Sequence, residues 1–214
     1  LVKQQNEAEK QSLQIQLFRT QINPHFFFNA LNSIQSYVLD SKPLASSRYL
    51  GRFARLMRSV LELNREEFIP LEKELQVLED YLSIEQLRFE GKFTYRVNCP
   101  AELAQVSIPT MVMQPFLENA ILHGFEEMGG GGEIEIRVQT EGPETLMIGI
   151  SDNGKGYQPA QKSPEPYRRS MALSLIEQRF SVLSEESGQE YSYQIRNRAP
   201  QAQGTEVLIK IPFA

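Results

Sequence analysis

Of the 13 glycines in this 214-residue chain, only Gly51 precedes residue 91. Glycine weakens helix interiors but serves tight turns and close backbone approaches, so this skew divides the chain by texture. The first part reads as helices and the second as strands joined by glycine turns. The change falls at Glu90–Gly91. At roughly 100–200 residues per domain, the length allows one large unit or two small ones.

The helical part has its own punctuation. Residues 1–22 start polar and then carry Leu13, Leu17, Phe18 and Ile22 at helical spacing, the pattern of an incoming amphipathic helix. Asn23-Pro24 supplies an N-cap followed by proline at the first helical position, so a second helix runs to about Asp40. Ser41-Lys42-Pro43 is a turn. A third helix spans about Leu44 to Leu63, with Leu50, Phe53, Ala54, Met57, Val60 and Leu61 expected inward. A fourth, from Leu71 to about Phe89, places Leu71, Leu75, Leu78 and Leu82 on a bundle seam. Continuing that seam lands on Glu85. Either the seam drifts and Glu85 reaches water, or it is half-buried and paired with Arg88 or an arginine of the third helix.

Period-two alternation marks five strands: around Phe93–Val97, Ile134–Val138, Leu146–Ile150, Tyr191–Ile195 and Val207–Ile211. Two helical stretches interrupt them, Pro109–Gly124 and about Ser170–Ser187, and Tyr157–Arg169 reads as a long loop. Helices over one face of a sheet make an α+β layer.

Composition narrows the function. Lys plus Arg is 22 against 27 for Asp plus Glu, a net charge of −5, which disfavours a general nucleic-acid binder. One cysteine, Cys99, excludes an internal disulfide framework, and two histidines, His25 and His123, leave too few ligands for a Cys/His zinc site. No apolar run approaches the roughly 20 residues of a spanning helix. The chain opens on Leu1, so we expect a soluble piece of a longer protein.

Three motifs carry chemistry. In Pro109–Gly124 one broad face is apolar, which sets Glu118 and Asn119 together on the narrow sector; an ordinary solvated face would look the same. Asp152-Asn153-Gly154-Lys155-Gly156 follows a strand, and is either a plain turn or a place where backbone approaches a ligand beside a carboxylate. In Gln21-Ile22-Asn23-Pro24-His25-Phe26-Phe27-Phe28-Asn29, His25 is either a core imidazole or a neutral nucleophile. The positive end of its helix would disfavour imidazolium and favour an anionic product on the ring. Arg48, Arg52, Arg55 and Arg58 stripe the third helix, as a solvated face or a docking site for an acidic partner.

The order and spacing of these motifs, with Gln114-Pro115 before Glu118-Asn119-Ala120 and His123-Gly124, resemble the LytS-type sensor histidine kinases. Arg58, Leu71, Glu74, Leu75, Tyr81, Leu82, Glu85, Arg88 and Phe89 resemble that family between the motifs. The resemblance implies a helical dimerisation and phosphoacceptor region at 23–90, after the incoming helix 1–22. A Bergerat-type α/β sandwich ATP-binding domain would then occupy 91–214. It implies that His25 accepts the γ-phosphoryl of ATP, with Glu118 as the other catalytic residue, and passes it to an aspartate on a response regulator receiver domain. Asn119 would hold Mg²⁺, Asp152 would read the adenine amine, and His123, Gly154, Gly156 and Thr205 would complete the nucleotide site. Gly154 and Gly156 would open a lid formed by Tyr157–Arg169. A homodimer follows, as the cytoplasmic portion of a bacterial sensor anchored in the inner membrane by upstream segments. Ser170 and Ala172 stand where the family has lid glycines, Leu122 where it commonly has lysine, and Phe26 where many histidine kinases have an acid. The alternative that Ser170, Ala172 and Leu122 favour is a non-catalytic nucleotide-binding scaffold.

Overall fold

A computed structural model describes residues 24–39, 43–125, 128–157, 166–198 and 203–213. Residues 1–22, where an incoming helix is expected, and most of the expected lid loop lie outside the described residues, as do the side chains of His25 and His123. The helical part holds α1 (Pro24–Leu39), α2 (Pro43–Leu63) and α3 (Leu71–Arg88). Between α2 and α3 runs a three-residue strand, β1 (Phe68–Pro70).

The remainder orders as β2 (Phe93–Asn98), β3 (Ser107–Pro109), α4 (Gln114–Asn119), β4 (Gly132–Thr140), β5 (Thr145–Asp152), α5 (Pro166–Ser187), β6 (Ser192–Asn197) and β7 (Thr205–Pro212). A π-helical turn, Ala120–Gly124, prolongs α4. All five alternating runs are strands, and they form one sheet in the order β2-β4-β5-β7-β6. Strands β2 and β4 are parallel and the other neighbours antiparallel. Ile134, Ile136 and Val138 of β4, Leu146, Ile148 and Ile150 of β5, and Val207, Ile209 and Ile211 of β7 point into one core. The α+β layer expected from the sequence is the observed fold.

Four differences have physical causes. Strands β1 and β3, each too short to show a period, pair antiparallel with Ile69 opposite Ile108. Because Pro109 belongs to that pairing and Met111 turns through φ 60°, the helix expected from Pro109 starts only at Gln114. The helix expected from Ser170 begins at Pro166, taking the end of the expected loop; proline suits a first helical turn. On α2 the inward residues are Ser46, Tyr49, Leu56, Val60 and Leu63, whereas Leu50, Ala54 and Leu61 stand exposed.

Helix α3 buries its seam leucines and much more: Glu74, Val77, Tyr81, Ile84 and Glu85 are also inside. It is covered on more than one side, so no narrow stripe suffices. At its start the Leu71 N–H donates to the Val106 carbonyl and the Glu72 N–H to the Ala104 carbonyl, both at 2.9 Å. Hydrogen bonds thus run across the Glu90–Gly91 change of texture.

Candidate functional site

The inward positions of β5 alternate Leu146, Ile148, Ile150 and Asp152. Strand geometry therefore delivers the Asp152 carboxylate to the buried face, at the end of an apolar row. Its Oδ1 accepts the Gly154 N–H at 2.8 Å and the Thr205 N–H at 3.2 Å. Burial pushes the carboxyl above its ordinary range, opposed by those two N–H groups and by the Arg198 charge. A polar group kept there against its desolvation cost, and served by two backbone donors, is a built feature.

The glycines around it permit close backbone approach. A Cβ on Gly204, which has φ 119°, would sit 1.9 Å from the Asp152 carbonyl oxygen. A Cβ on Gly154 would sit 2.6 Å from Gly124 Cα, and one on Gly124 would sit 3.5 Å from Asp152 Oδ1. Lys155 N–H reaches the Gly124 carbonyl at 3.4 Å. The end of the α4 segment and the Asp152–Gly156 turn, 28 residues or more apart by their own numbers, thus touch through backbone. Gly156 (φ 88°) leads into Tyr157, whose N–H donates to Asn197 Oδ1 at 2.6 Å. Asn153 staples the turn to its neighbour strand, accepting from Glu133 N–H at 2.7 Å and donating to the Gly131 carbonyl at 2.9 Å.

On α4 the broad apolar face is buried, and Glu118 and Asn119 are half-buried, as their sector predicts. Gln114 Nε2 donates to Glu118 Oε1 at 2.9 Å, one helical turn on. Helix α1 reaches the same neighbourhood. Phe26 packs its ring 5.3 Å from that of Tyr81 and 5.8 Å from that of Phe53. Burial and the negative charges of Glu85 and Glu118 raise the Tyr81 hydroxyl far above its ordinary range.

Glu85 answers its two readings. It is 1% exposed, Ile84 is buried beside it, and Leu87 faces out. Arg88 Nε donates to Glu85 Oε2 at 2.9 Å, with a second, closer contact from Nη2 to the same oxygen. Burial raises the Glu85 carboxyl and Arg88 opposes the rise. The pairing is with Arg88.

Two buried charges escaped assignment from the sequence, Glu74 and Arg179. Burial pushes Glu74 up to about 7, against the pull of Met113, Met111 and Arg179. The family pattern contained Glu74 as one residue among many, and nothing local marked Arg179.

A family model described as histidine kinase matches residues 13–93, and one described as histidine kinase-, DNA gyrase B-, and HSP90-like ATPase matches 106–214. The chain belongs to the histidine kinase-, DNA gyrase B-, and HSP90-like ATPase family. The LytS-type resemblance of the motifs is borne out among curated relatives. Sensor histidine kinase BtsS of Escherichia coli K12 is 34% identical over 215 residues, which cover 98% of this chain and 36% of the relative. Sensor protein LytS of Bacillus subtilis 168 is 33% identical over 219 residues, covering 97% and 36%. The chain therefore spans little more than a third of these relatives. Among solved structures, the histidine kinase domain of the Erythrobacter litoralis EL346 blue-light activated kinase is similar at 18% identity, covering 96% of this chain and 94% of that one, with a TM-score of 0.47.

Proposed function

We propose that this chain is the kinase core of a sensor histidine kinase, transferring the γ-phosphoryl of ATP to His25 and then to an aspartate of a response regulator receiver domain. The observation that carries the reading is the meeting of the α4 segment with the Asp152 turn through Gly124 and Gly154. It sets a buried carboxylate, suited to a nucleobase amine, beside the helix that bears Glu118 and Asn119. Thr205, tied to Asp152, and the glycines Gly154 and Gly156 frame the nucleotide, with His123 at the end of the π-helical turn.

In the transfer a neutral ring nitrogen of His25 attacks the γ-phosphorus, the bond to the β-phosphate oxygen breaks, and ADP leaves. We assign Glu118 the acceptance of the ring proton. Gln114 holds that carboxylate, and its charge acts on Tyr81, against which the neighbour of His25 is packed. Such catalysis is mostly positioning and charge neutralisation. Among the described residues no group of three His, Cys, Asp or Glu side chains could hold a metal. The fitting ligand for Mg²⁺ is the half-buried amide oxygen of Asn119, a hard donor, with nucleotide phosphates supplying the rest. When bound, Mg²⁺ neutralises charge on those phosphates.

We further propose the division into an incoming helix 1–22, a phosphoacceptor and dimerisation region, and an ATP-binding region. The bonds from Leu71 and Glu72 to Val106 and Ala104 favour counting α3 with the ATP-binding region, so that the junction falls near residues 64–67. A homodimer is supported by the exposed Leu31, Leu50 and Leu61 on α1 and α2. No described helix is long and apolar enough to cross a membrane, and we propose that anchoring belongs to segments outside these residues.

One observation favours the scaffold reading: α5 runs through Ser170 and Ala172, where the family pattern has glycines. Incubation with γ-labelled ATP separates the readings. The kinase gives an acid-labile, base-stable label that His25→Gln abolishes. A scaffold gives no label.

A further inference from the structure

The turn Thr110–Met113 leads directly into α4, and α4 starts without a side-chain cap of its own. Two N–H groups of the turn before it are served from another element. Glu74, on α3 and 0% exposed, accepts the Met111 N–H on one carboxylate oxygen and the Met113 N–H on the other, both at 2.8 Å. From the opposite side Arg179 of α5, also buried, donates to the Thr110 carbonyl at 2.5 Å and to the Glu67 carbonyl at 2.8 Å. The same turn is bound to the segment leaving α2: Thr110 Oγ1 donates to the Glu66 carbonyl at 2.6 Å, and Thr110 N–H to the Glu67 carbonyl at 3.1 Å. A carboxylate takes two of the turn's donors while a guanidinium takes the carbonyl of its first residue.

This much buried charge is not needed to fill space. An apolar pair of like volume would remove two desolvation costs, so stability alone does not explain the arrangement. What it fixes is direction. Met111 at φ 60° is a left-handed, non-glycine residue, a conformation that persists only where its surroundings over-determine it. Glu118 and Asn119 follow it on α4, seven and eight residues on.

Resting on the kinase reading, we propose that Glu74, with Arg179, is a positioning residue: it clamps the 110–113 turn so that Glu118 and Asn119 are presented in register for phosphoryl transfer. The clamp joins the end of α2, the α3 helix and the α5 helix at one turn. It acts on the chemistry through α4 and leaves the adenine-facing group, Asp152, on its own strand.

The test uses Glu74→Gln and Arg179→Lys in the chain. The amide of Glu74→Gln keeps one acceptor oxygen and turns its NH₂ toward a backbone donor. Labelling of His25 should fall roughly ten- to a hundredfold, the scale of a small misplacement in an active site. Affinity for ADP without Mg²⁺ should change by no more than about threefold. Amide exchange at Met111 and Met113 should accelerate. Arg179→Lys replaces the planar fork that spans two carbonyls with a shorter, single-centre ammonium, and should lower labelling by a smaller factor with the same retained ADP affinity. Unchanged labelling in Glu74→Gln overturns the proposal. So does ADP affinity lost in step with labelling, or failure of both variants to fold, because the clamp then serves the fold alone. A wild-type chain that gives no label removes the kinase reading and the positioning role with it. That case is recognisable, because exchange at Met111 and Met113 still responds to Glu74→Gln.

Discussion

The α1–α2 pair and the sheet half handle their apolar residues in opposite ways. Among the described residues, every exposed large apolar side chain except Leu87 lies on α1 or α2: Phe28, Leu31, Val38, Leu39, Leu44, Leu50 and Leu61. The sheet half buries its apolar rows against α3, α4 and α5. The helix pair thus leaves apolar surface outside, whereas no described large apolar side chain of the sheet half is exposed. Leu50 and Leu61 fit a helical stripe in sequence yet point away from the chain's own core. Periodicity finds apolar faces; it does not say whether the partner is the same chain or another copy.

The largest effect separates the two regions outright. Leu78→Asp puts an unpaired charge where the side chain is 0% exposed, and should abolish cooperative unfolding as followed by circular dichroism. Leu50→Asp, at an exposed position, should leave that transition intact and convert sedimenting dimers to monomers. A folded wild-type chain that sediments as a monomer at micromolar concentration would break the comparison.

Next in size is nucleotide binding. In Asp152→Asn the amide oxygen can still accept from Gly154 and Thr205, so the strand end keeps its hydrogen bonds. The loss at the ligand should be about 1.5–3 kcal/mol, or ~10–150-fold in ATP affinity by calorimetry. Dimer sedimentation should not change, and equal affinity would remove the adenine assignment.

Glu85→Leu probes α3, the helix that lies in sequence between the α1–α2 pair and the sheet. Replacing a buried charge whose partner is Arg88, 18% exposed at its side chain and able to reach water, should leave the melting temperature equal or higher. If the Glu85–Arg88 pair also orients α3, labelling of His25 falls while ATP affinity holds; unchanged labelling would make the pair purely structural.

The smallest effect is in pH dependence. Glu74 sits at about 7 in the folded chain, above its ordinary 4.5. The folded state therefore binds this proton more tightly than the unfolded state does. Its contribution is fully present below about 4.5 and lost as pH rises through about 7. The stability difference between wild type and Glu74→Gln, from urea midpoints, should shift in favour of wild type from pH 8 to pH 5. A flat difference would show that Glu74 does not titrate in this window.

Much of this was legible in the residues. The alternation that names β5 also carries Asp152 to the buried face, so its role as an inward carboxylate follows from counting by two. The Leu71–Leu82 spacing located α3 and posed the question of Glu85. The rest depended on partners distant in sequence. Strands β1 and β3 have three residues each, too few to display a period, and their pairing moved the start of α4 from Pro109 to Gln114. Glu74 and Arg179 meet at a turn that neither announces, because a charge on a helix reads as solvated until its cover is known.

The parallel pairing of β2 with β4 has a consequence for how the chain assembles. Parallel neighbours cannot be joined by a hairpin; a crossover must leave the sheet and return. Here the crossover carries β3, α4 and the π-helical turn, and β2 adds to the sheet edge with Phe93 opposite Gly132. That contact closes a long loop, the slow kind of step in folding. Until that loop is closed, β4 rather than β2 is the edge of the sheet.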